Sequence, residues 1–560
     1  MRALPVLFAA FLVLSLPALA MYGPLATGLP ASDTPKQTYP KQSYPKQSYE
    51  EAQDMAKVMF RRLTGVPIFV SDPRLGQMAD LIQNGRAREA AAIATKDPAF
   101  YQVTVKSFAA EISSRSETPY IGLDDIQATF IGTVRDELDA RWLLSGNYLY
   151  RAKPELQSKV SVEPSRRSNE HYEQIDQSHL DYQVVLVKQE PQWQGYEAMR
   201  NHAGVMTTRG WGWNYDAGTN RRAVQYAFDR FLCKPIAAWK VPGLDESAVA
   251  RDVPRNPSKN PAMFTEQYEK VFRQQCLTCH GGIDPMRDAF SSLDFLSGAL
   301  VELPPFRPAP KYKRGSKAYP EGHVTRDDSW INPIAPLRPE LGFKPEQTQG
   351  QGVQAFGEMI ANASAFGFCM AQRVFESVCQ REPVASDSAL MDHLASDFEQ
   401  NGHNLKKLFE ETAVSSACLE TTGVKTFRST YYALSRVLGV QPTKEIDEYF
   451  QANMTRLPKD GRIEEISASM LLAVKGLASL YCREFTRQTA QENEKSADED
   501  NVALLSSISQ NISRKIYGRE LTLAESRIVD GLMTEALKSG RDPTFAACTA
   551  MASSVEFQVQ

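Results

Sequence analysis

Two stretches near opposite ends of the chain carry the same punctuation. Residues 61–100 read RRLTGVPIFVSDPRLGQMADLIQNGRAREAAAIATKDPAF, and residues 514–545 read RKIYGRELTLAESRIVDGLMTEALKSGRDPTF. Each has a basic helix end, a Gly, a short turn, an amphipathic helix closed by a Gly turn, and Asp-Pro-x-Phe opening the next helix. A Gly after a helix accepts the left-handed conformation that ends it, and an Asp before Pro accepts the first amide hydrogens of the helix that follows. Weaker echoes begin at Arg373 (RVFESVCQREPVASDSALMDHL) and Arg436 (RVLGVQPTKEIDEYF). The pattern predicts a mainly α fold in which one three-helix unit recurs, over 51–115, 366–425, 426–490 and 502–560. In the first unit Met55, Val58, Met59 and Leu63 fall at helical spacing and Gly65 closes the segment.

The remaining segments read differently. Residues 21–50 include the tandem pentapeptide PKQTY-PKQSY-PKQSY (35–49), whose prolines fix φ and remove amide donors, so an extended linker is expected. Residues 116–260 form a mixed, mainly helical region. Within it Leu123 to Arg141 predicts a helix with Asp124 or Asp125 as its cap, and RDELDAR (135–141) its solvated face. Tyr182 to Val187 (YQVVLV) is expected to be a strand of a small hairpin. The aromatic, Gly-rich stretch 209–222 (RGWGWNYDAGTNRR) and the Pro-rich stretch 303–350 read as ordered loops, and 491–501 as an acidic linker.

Arg2, the apolar run Leu4 to Leu16 and Ala18-Leu19-Ala20 together have the layout of a cleavable export signal over residues 1–20. No Cys follows the expected cleavage point and no transmembrane candidate remains after it, so a soluble periplasmic or secreted product is expected. The 560 residues carry a formal charge of -4. That balance leaves no cationic surplus for gripping nucleic acid.

The chemistry-bearing motif is Cys276-Leu277-Thr278-Cys279-His280. On a helix, residues three and four apart share a face, so the two thiols and the imidazole address one object. This is the spacing of covalent haem attachment, in which the thiols add across the vinyl groups and the imidazole reaches the iron. The expected cofactor is one haem c, attached at Cys276 and Cys279, with His280 as axial iron ligand, in a haem-binding region spanning 261–365. Residues 265–275 (TEQYEKVFRQQ) supply a helix that ends in the motif, with Tyr268 and Phe272 placed to cover the ring. Gly281 and Gly282 would let the backbone leave the helix and pass close to the macrocycle. With 8 Cys and 7 His among 560 residues, such a pentad is rare by chance. A thioredoxin-like pair would follow a strand, a zinc or iron–sulfur site needs further thiolates nearby, and a Cys276–Cys279 disulfide is cramped.

Residues 276–295 (CLTCHGGIDPMRDAFSSLDF) resemble the haem segment of the large secreted single-haem c-type cytochromes of planctomycetes and myxobacteria. The resemblance extends to 203–235 (AGVMTTRGWGWNYDAGTNRRAVQYAFDRFLCKP) and 366–383 (FGFCMAQRVFESVCQREP), spanning about a third of the chain. It implies a mainly helical, haem-binding secreted protein with a cytochrome c-like haem segment, and it names no substrate.

His323, Met359 and Met370 are candidates for the second axial position, while Met286 lies too close to the motif to swing across the ring. The remaining cysteines, Cys233, Cys369, Cys379, Cys418, Cys482 and Cys548, are expected to form disulfides in an exported chain. Cys369 and Cys379 share one predicted helix, ~15 Å apart along its axis, which excludes their bonding. Cys379 with Cys418 is the preferred pair, tying the first and third helices of one unit. Arg221 and Arg222 are candidates to neutralise haem propionates, or else ordinary surface residues. No Gly-x-Ser-x-Gly, His-Glu-x-x-His or phosphate loop is present. Three functions remain: electron transfer with an unidentified redox partner, a peroxidase- or oxygenase-like haem enzyme, and a secreted scaffold with an accessory haem.

Overall fold

The computed structural model describes residues 48–114, 122–178, 180–193, 202–215, 220–236, 270, 274–275, 277–296, 299–302, 327–457, 467–493 and 501–559. The expected export signal, residues 21–47 of the expected linker, Cys276, His323, Tyr268 and Phe272 lie outside the described residues, while the linker's last residues, Ser48 to Glu50, already cap and open the first helix.

The predicted mainly α class is what forms. Helix α1 (Tyr49–Thr64) begins on a reciprocal cap, the Ser48 hydroxyl accepting from the Glu51 amide and the Glu51 carboxylate from the Ser48 amide, and ends at Gly65 with φ 72°. Its inward face is Ala52, Ala56, Met59, Phe60 and Leu63, with Met55 and Val58 half-buried at the edges. Helix α2 (Pro73–Gln83) starts on Asp72, whose carboxylate accepts from the Arg74 amide. It closes at the predicted Gly turn, Gly85, but a further helix that the pattern does not predict, α3 (Ala87–Ala94), follows before Asp97-Pro98. A π-helical turn (Phe100–Val105) leads into α4 (Lys106–Ser113).

Helix α5 (Asp125–Arg135) takes Asp124 as its cap, the carboxylate accepting from the Gln127 amide at 2.7 Å. It ends six residues before the predicted Arg141, because Glu137 turns to φ 54°. RDELDAR is therefore a turn, held by the Arg135–Asp136 and Arg141–Asp139 pairs. The predicted strand over Tyr182–Val187 is displaced as well. Asp181 caps a helical turn at Tyr182–Val185, and the strand is β2 (Leu186–Gln189), antiparallel to β1 (Leu149–Ala152) with Leu149 opposite Gln189. Residues predicted as a loop from Arg209 form helix α6 (Arg209–Tyr215), and α7 (Arg221–Leu232) follows. Next come α8 (Leu277–Ile283), the antiparallel pair β3 (Leu293–Leu296) and β4 (Ala299–Glu302), and the pair β5 (Ser329–Ile331) and β6 (Gln349–Gln351).

The rest is helical: α9 (Gly352–Ala361), α10 (Ser364–Cys379), α11 (Ser388–Gln400), α12 (Leu405–Ala413), α13 (Phe427–Leu438), α14 (Lys444–Met454), α15 (Ala468–Asn493), α16 (Asn501–Tyr517), α17 (Leu523–Lys538) and α18 (Pro543–Ala552). The predicted punctuation recurs in them. Helices α1, α10, α13 and α16 each end on a left-handed residue: Gly65, Gln380, Gly439 and Gly518. Asp542 caps α18 through the Phe545 amide, as Asp97 accepts from the Ala99 amide in the first unit. Helix α3 has no counterpart in the last unit, which passes from α17 through Gly540 directly to Asp542.

Three disulfides join helices: Cys233–Cys369, Cys379–Cys418 and Cys482–Cys548. The preferred Cys379–Cys418 pair forms, though Cys418 sits on a short fourth helix, Ser416–Leu419, beyond the third. Buried apolar side chains make one continuous cluster from Ala52 to Phe557. No helix among the described residues is long and apolar enough to cross a membrane.

Two left-handed glycines, Gly85 with φ 72° and Gly518 with φ 71°, differ in what surrounds them. A Cβ on Gly85 would meet nothing within 4 Å, whereas one on Gly518 would lie 2.6 Å from the Ile68 carbonyl oxygen. Gly85→Ala should cost about 1–2 kcal/mol for the left-handed backbone alone, and Gly518→Ala more than that. Urea unfolding of the two variants measures the difference; equal losses would contradict it.

Candidate haem-attachment site and its carboxylate

Helix α8 carries Thr278, Cys279 and His280 in consecutive positions and continues through Gly281 and Gly282 to Ile283. The expected departure of the backbone at the two glycines does not occur. Gly282 serves close packing instead: a Cβ there would lie 2.8 Å from Cδ1 of Ile334. Cys279 is half-buried against the core, and the His280 side chain is 19% exposed.

One turn later Asp284 is fully buried. Its amide donates to the His280 carbonyl at 2.9 Å, prolonging the helical path. Its carboxylate is gripped at both oxygens by Arg221 of α7, Nε to Oδ1 at 2.5 Å and Nη2 to Oδ2 at 3.0 Å. The His280 Nδ1 lies 3.4 Å from the same Oδ1, and Nη1 of the buried Arg287 lies 3.8 Å from it. Burial pushes the Asp284 carboxyl up, but the Arg287 charge, the His280 hydrogen bond and Arg221 together outweigh it and hold the carboxyl far below its usual range. Arg221 is thus neither an ordinary surface arginine nor uncommitted; it is the ion-pair partner of Asp284. Local sequence patterns did not single out Asp284. The signal present was its position four residues after His280, on the same helix face.

The segment after α8 is clamped from two sides. The Asn220 side-chain amide donates from Nδ2 to the Phe290 carbonyl at 2.9 Å, and the Ile331 backbone amide to the Pro285 carbonyl at 3.2 Å. Phe290 meets Phe356 of α9 edge-to-face, and Trp330 meets the same ring from another side. Met286, Met359 and Met370 are buried. Met359 accepts a hydrogen bond at its sulfur from the Asn332 side-chain Nδ2 at 3.3 Å, so this thioether already has a polar partner in the core.

The residues fit a covalently attached haem in one specific respect. An ionised carboxylate only accepts, so in the 3.4 Å contact with Asp284 it is His280 Nδ1 that would carry the hydrogen, which leaves Nε2 as the nitrogen available to a metal. Among the described residues no set of three His, Cys, Asp or Glu side chains converges as a metal site. No protein-family model, curated protein or solved structure matches the chain. The fold and this region define a mainly helical protein with a histidine–carboxylate–guanidinium relay beside a Cys-x-x-Cys-His motif.

A second buried carboxylate behaves oppositely. Asp124 and Asp125 are both buried, Asp125 accepting from the Arg209 and Gly210 amides at the start of α6. Burial, then the adjacent Asp125 charge, push the Asp124 carboxyl well above its ordinary value. Such a group binds its proton more tightly folded than unfolded, so its contribution to stability falls as pH rises from about 4. Asp124→Asn keeps a capping oxygen and should raise stability at pH 7 relative to wild type, by more than at pH 5. Asp284→Asn should instead cost about 3–5 kcal/mol, since it leaves buried guanidinium uncompensated. Denaturant midpoints at the two pH values test both signs; a destabilised Asp124→Asn would refute the first.

Proposed function

We propose that this chain is an exported c-type cytochrome that holds one covalent haem for electron transfer in the periplasm or outside the cell. It would be akin to the large secreted single-haem cytochromes that 203–235, 276–295 and 366–383 resemble. Cys276 and Cys279 would hold the ring through thioether bonds, and His280 would be the axial ligand. The observation that carries this reading is the pentad itself together with the buried carboxylate beside His280 Nδ1, which would leave Nε2 to face the iron. Haem supplies a one-electron couple at its iron, and an unidentified redox protein would be the partner. The chain's own part would be to fix the imidazole and to bury the ion pair beside it, with Ile334 packed against Gly282 of the motif helix.

A second reading, an iron site open to small molecules as in a peroxidase- or oxygenase-like enzyme, is favoured by the Asn332 amide already engaging Met359.

Expression with an export and haem-maturation system should give material that keeps peroxidase-active haem stain on a denaturing gel, with a reduced c-type absorption spectrum. Cys276→Ala with Cys279→Ala should abolish the stain. Unstained wild-type protein would overturn the proposal. Rapid carbon monoxide binding by the reduced protein would select the open-site reading over a six-coordinate carrier.

A further inference from the structure

Three nitrogen groups converge on a single oxygen of Asp284: Arg221 Nε at 2.5 Å, His280 Nδ1 at 3.4 Å and Arg287 Nη1 at 3.8 Å. The oxygen is fully shielded from water, so these contacts act in a low dielectric where each is stronger than at a surface. Arg221 comes from a different part of the chain, 63 residues away, and takes both oxygens in the planar fork typical of arginine. His280 has the longer contact and competes for what remains of the oxygen's charge.

We infer that Asp284 is a positioning residue that sets how strongly His280 donates to its metal, and that Arg221 moderates this by competing for the same oxygen. The inference rests on the haem reading above. A carboxylate accepting the Nδ1 hydrogen raises the basicity of the coordinating imidazole, and a more basic ligand favours the oxidised metal. Withdrawing carboxylate charge toward Arg221 has the opposite effect. The two residues therefore control one quantity with opposite signs.

The sign difference separates this role from a purely structural one. Asp284→Asn removes the charge behind Nδ1 and should move the reduction potential upward, with the reduced form gaining roughly tenfold, or about 59 mV for a one-electron couple. Arg221→Gln releases the oxygen to His280 and should move the potential downward. Arg221→Lys keeps the charge but loses the fork, and should move it down by less. Loss of packing alone would open the site to water in every variant and shift all potentials the same way.

The experiment is redox titration of the full-length haem-loaded protein and these variants, after haem staining of each on a denaturing gel. Opposite shifts for Asp284→Asn and Arg221→Gln are expected. If Asp284→Asn does not accumulate, the arginine variants decide: a downward shift in both supports the inference, and an upward or absent shift overturns it. Equal-sign or absent shifts in proteins that do stain overturn the role of Asp284 and leave the haem reading standing. Unstained wild-type protein overturns both.

Discussion

The buried Asp284–Arg221 ion pair ties the motif helix to the scaffold. A carboxylate with no exposure is costly unless a cation meets it with good geometry, so α8 and α7 must dock in one orientation. Helix α7 is in turn fixed at its far end. Its terminal Cys233 is bridged to Cys369 of α10, and the half-buried Arg373 of α10 donates to the Arg230 and Asp229 carbonyls at 2.9 and 3.0 Å. Any strain at His280 is therefore referred through α7 to the helical body of the protein.

Cations also meet helix ends at three other places among the described residues. A helix C-terminus leaves carbonyls unsatisfied and is the negative end of its dipole. Arg62 meets this need for α10, donating to the Cys379 carbonyl at 2.8 Å and onward to the Thr421 carbonyl. Burial pushes its guanidinium down to about 10. Arg373 does the same for α7, and the buried Lys425 for the last turn, donating to the Phe557 carbonyl at 2.6 Å. Burial holds that ammonium well below its ordinary value. These cations join distant helices without needing a carboxylate at each joint, and two of them lie beside disulfides, at Cys379 and Cys369.

Much of this was legible in local sequence. Gly65, Asp124 and Asp542 end or begin helices where their chemistry says they should, because capping depends on residues three or four apart. The Cys379–Cys418 bridge was legible as a tie within one helical unit, although Cys418 lies on a short fourth helix rather than the third. What escaped is long-range or context-dependent. The run Tyr182–Val185 is β-rich in composition, yet Asp181 caps it as a helical turn and its strand begins only at Leu186. Trp211 and Tyr215 sit in a stretch whose glycines suggest a loop, but Asp125 supplies the first amides of α6 with an acceptor from 85 residues away. The pairing of Arg221 with Asp284 leaves no periodic trace at all, and neither residue's neighbours announce it.

Haem attachment at Cys276 and Cys279 can be read from the intact mass of the protein recovered from an exporting, haem-maturing cell. The expected product is a chain beginning at Met21 with the mass of one haem added and three disulfides formed, the addition surviving denaturation in acid. A mass equal to the polypeptide alone, with Cys276 and Cys279 as thiols or bridged to each other, would contradict it.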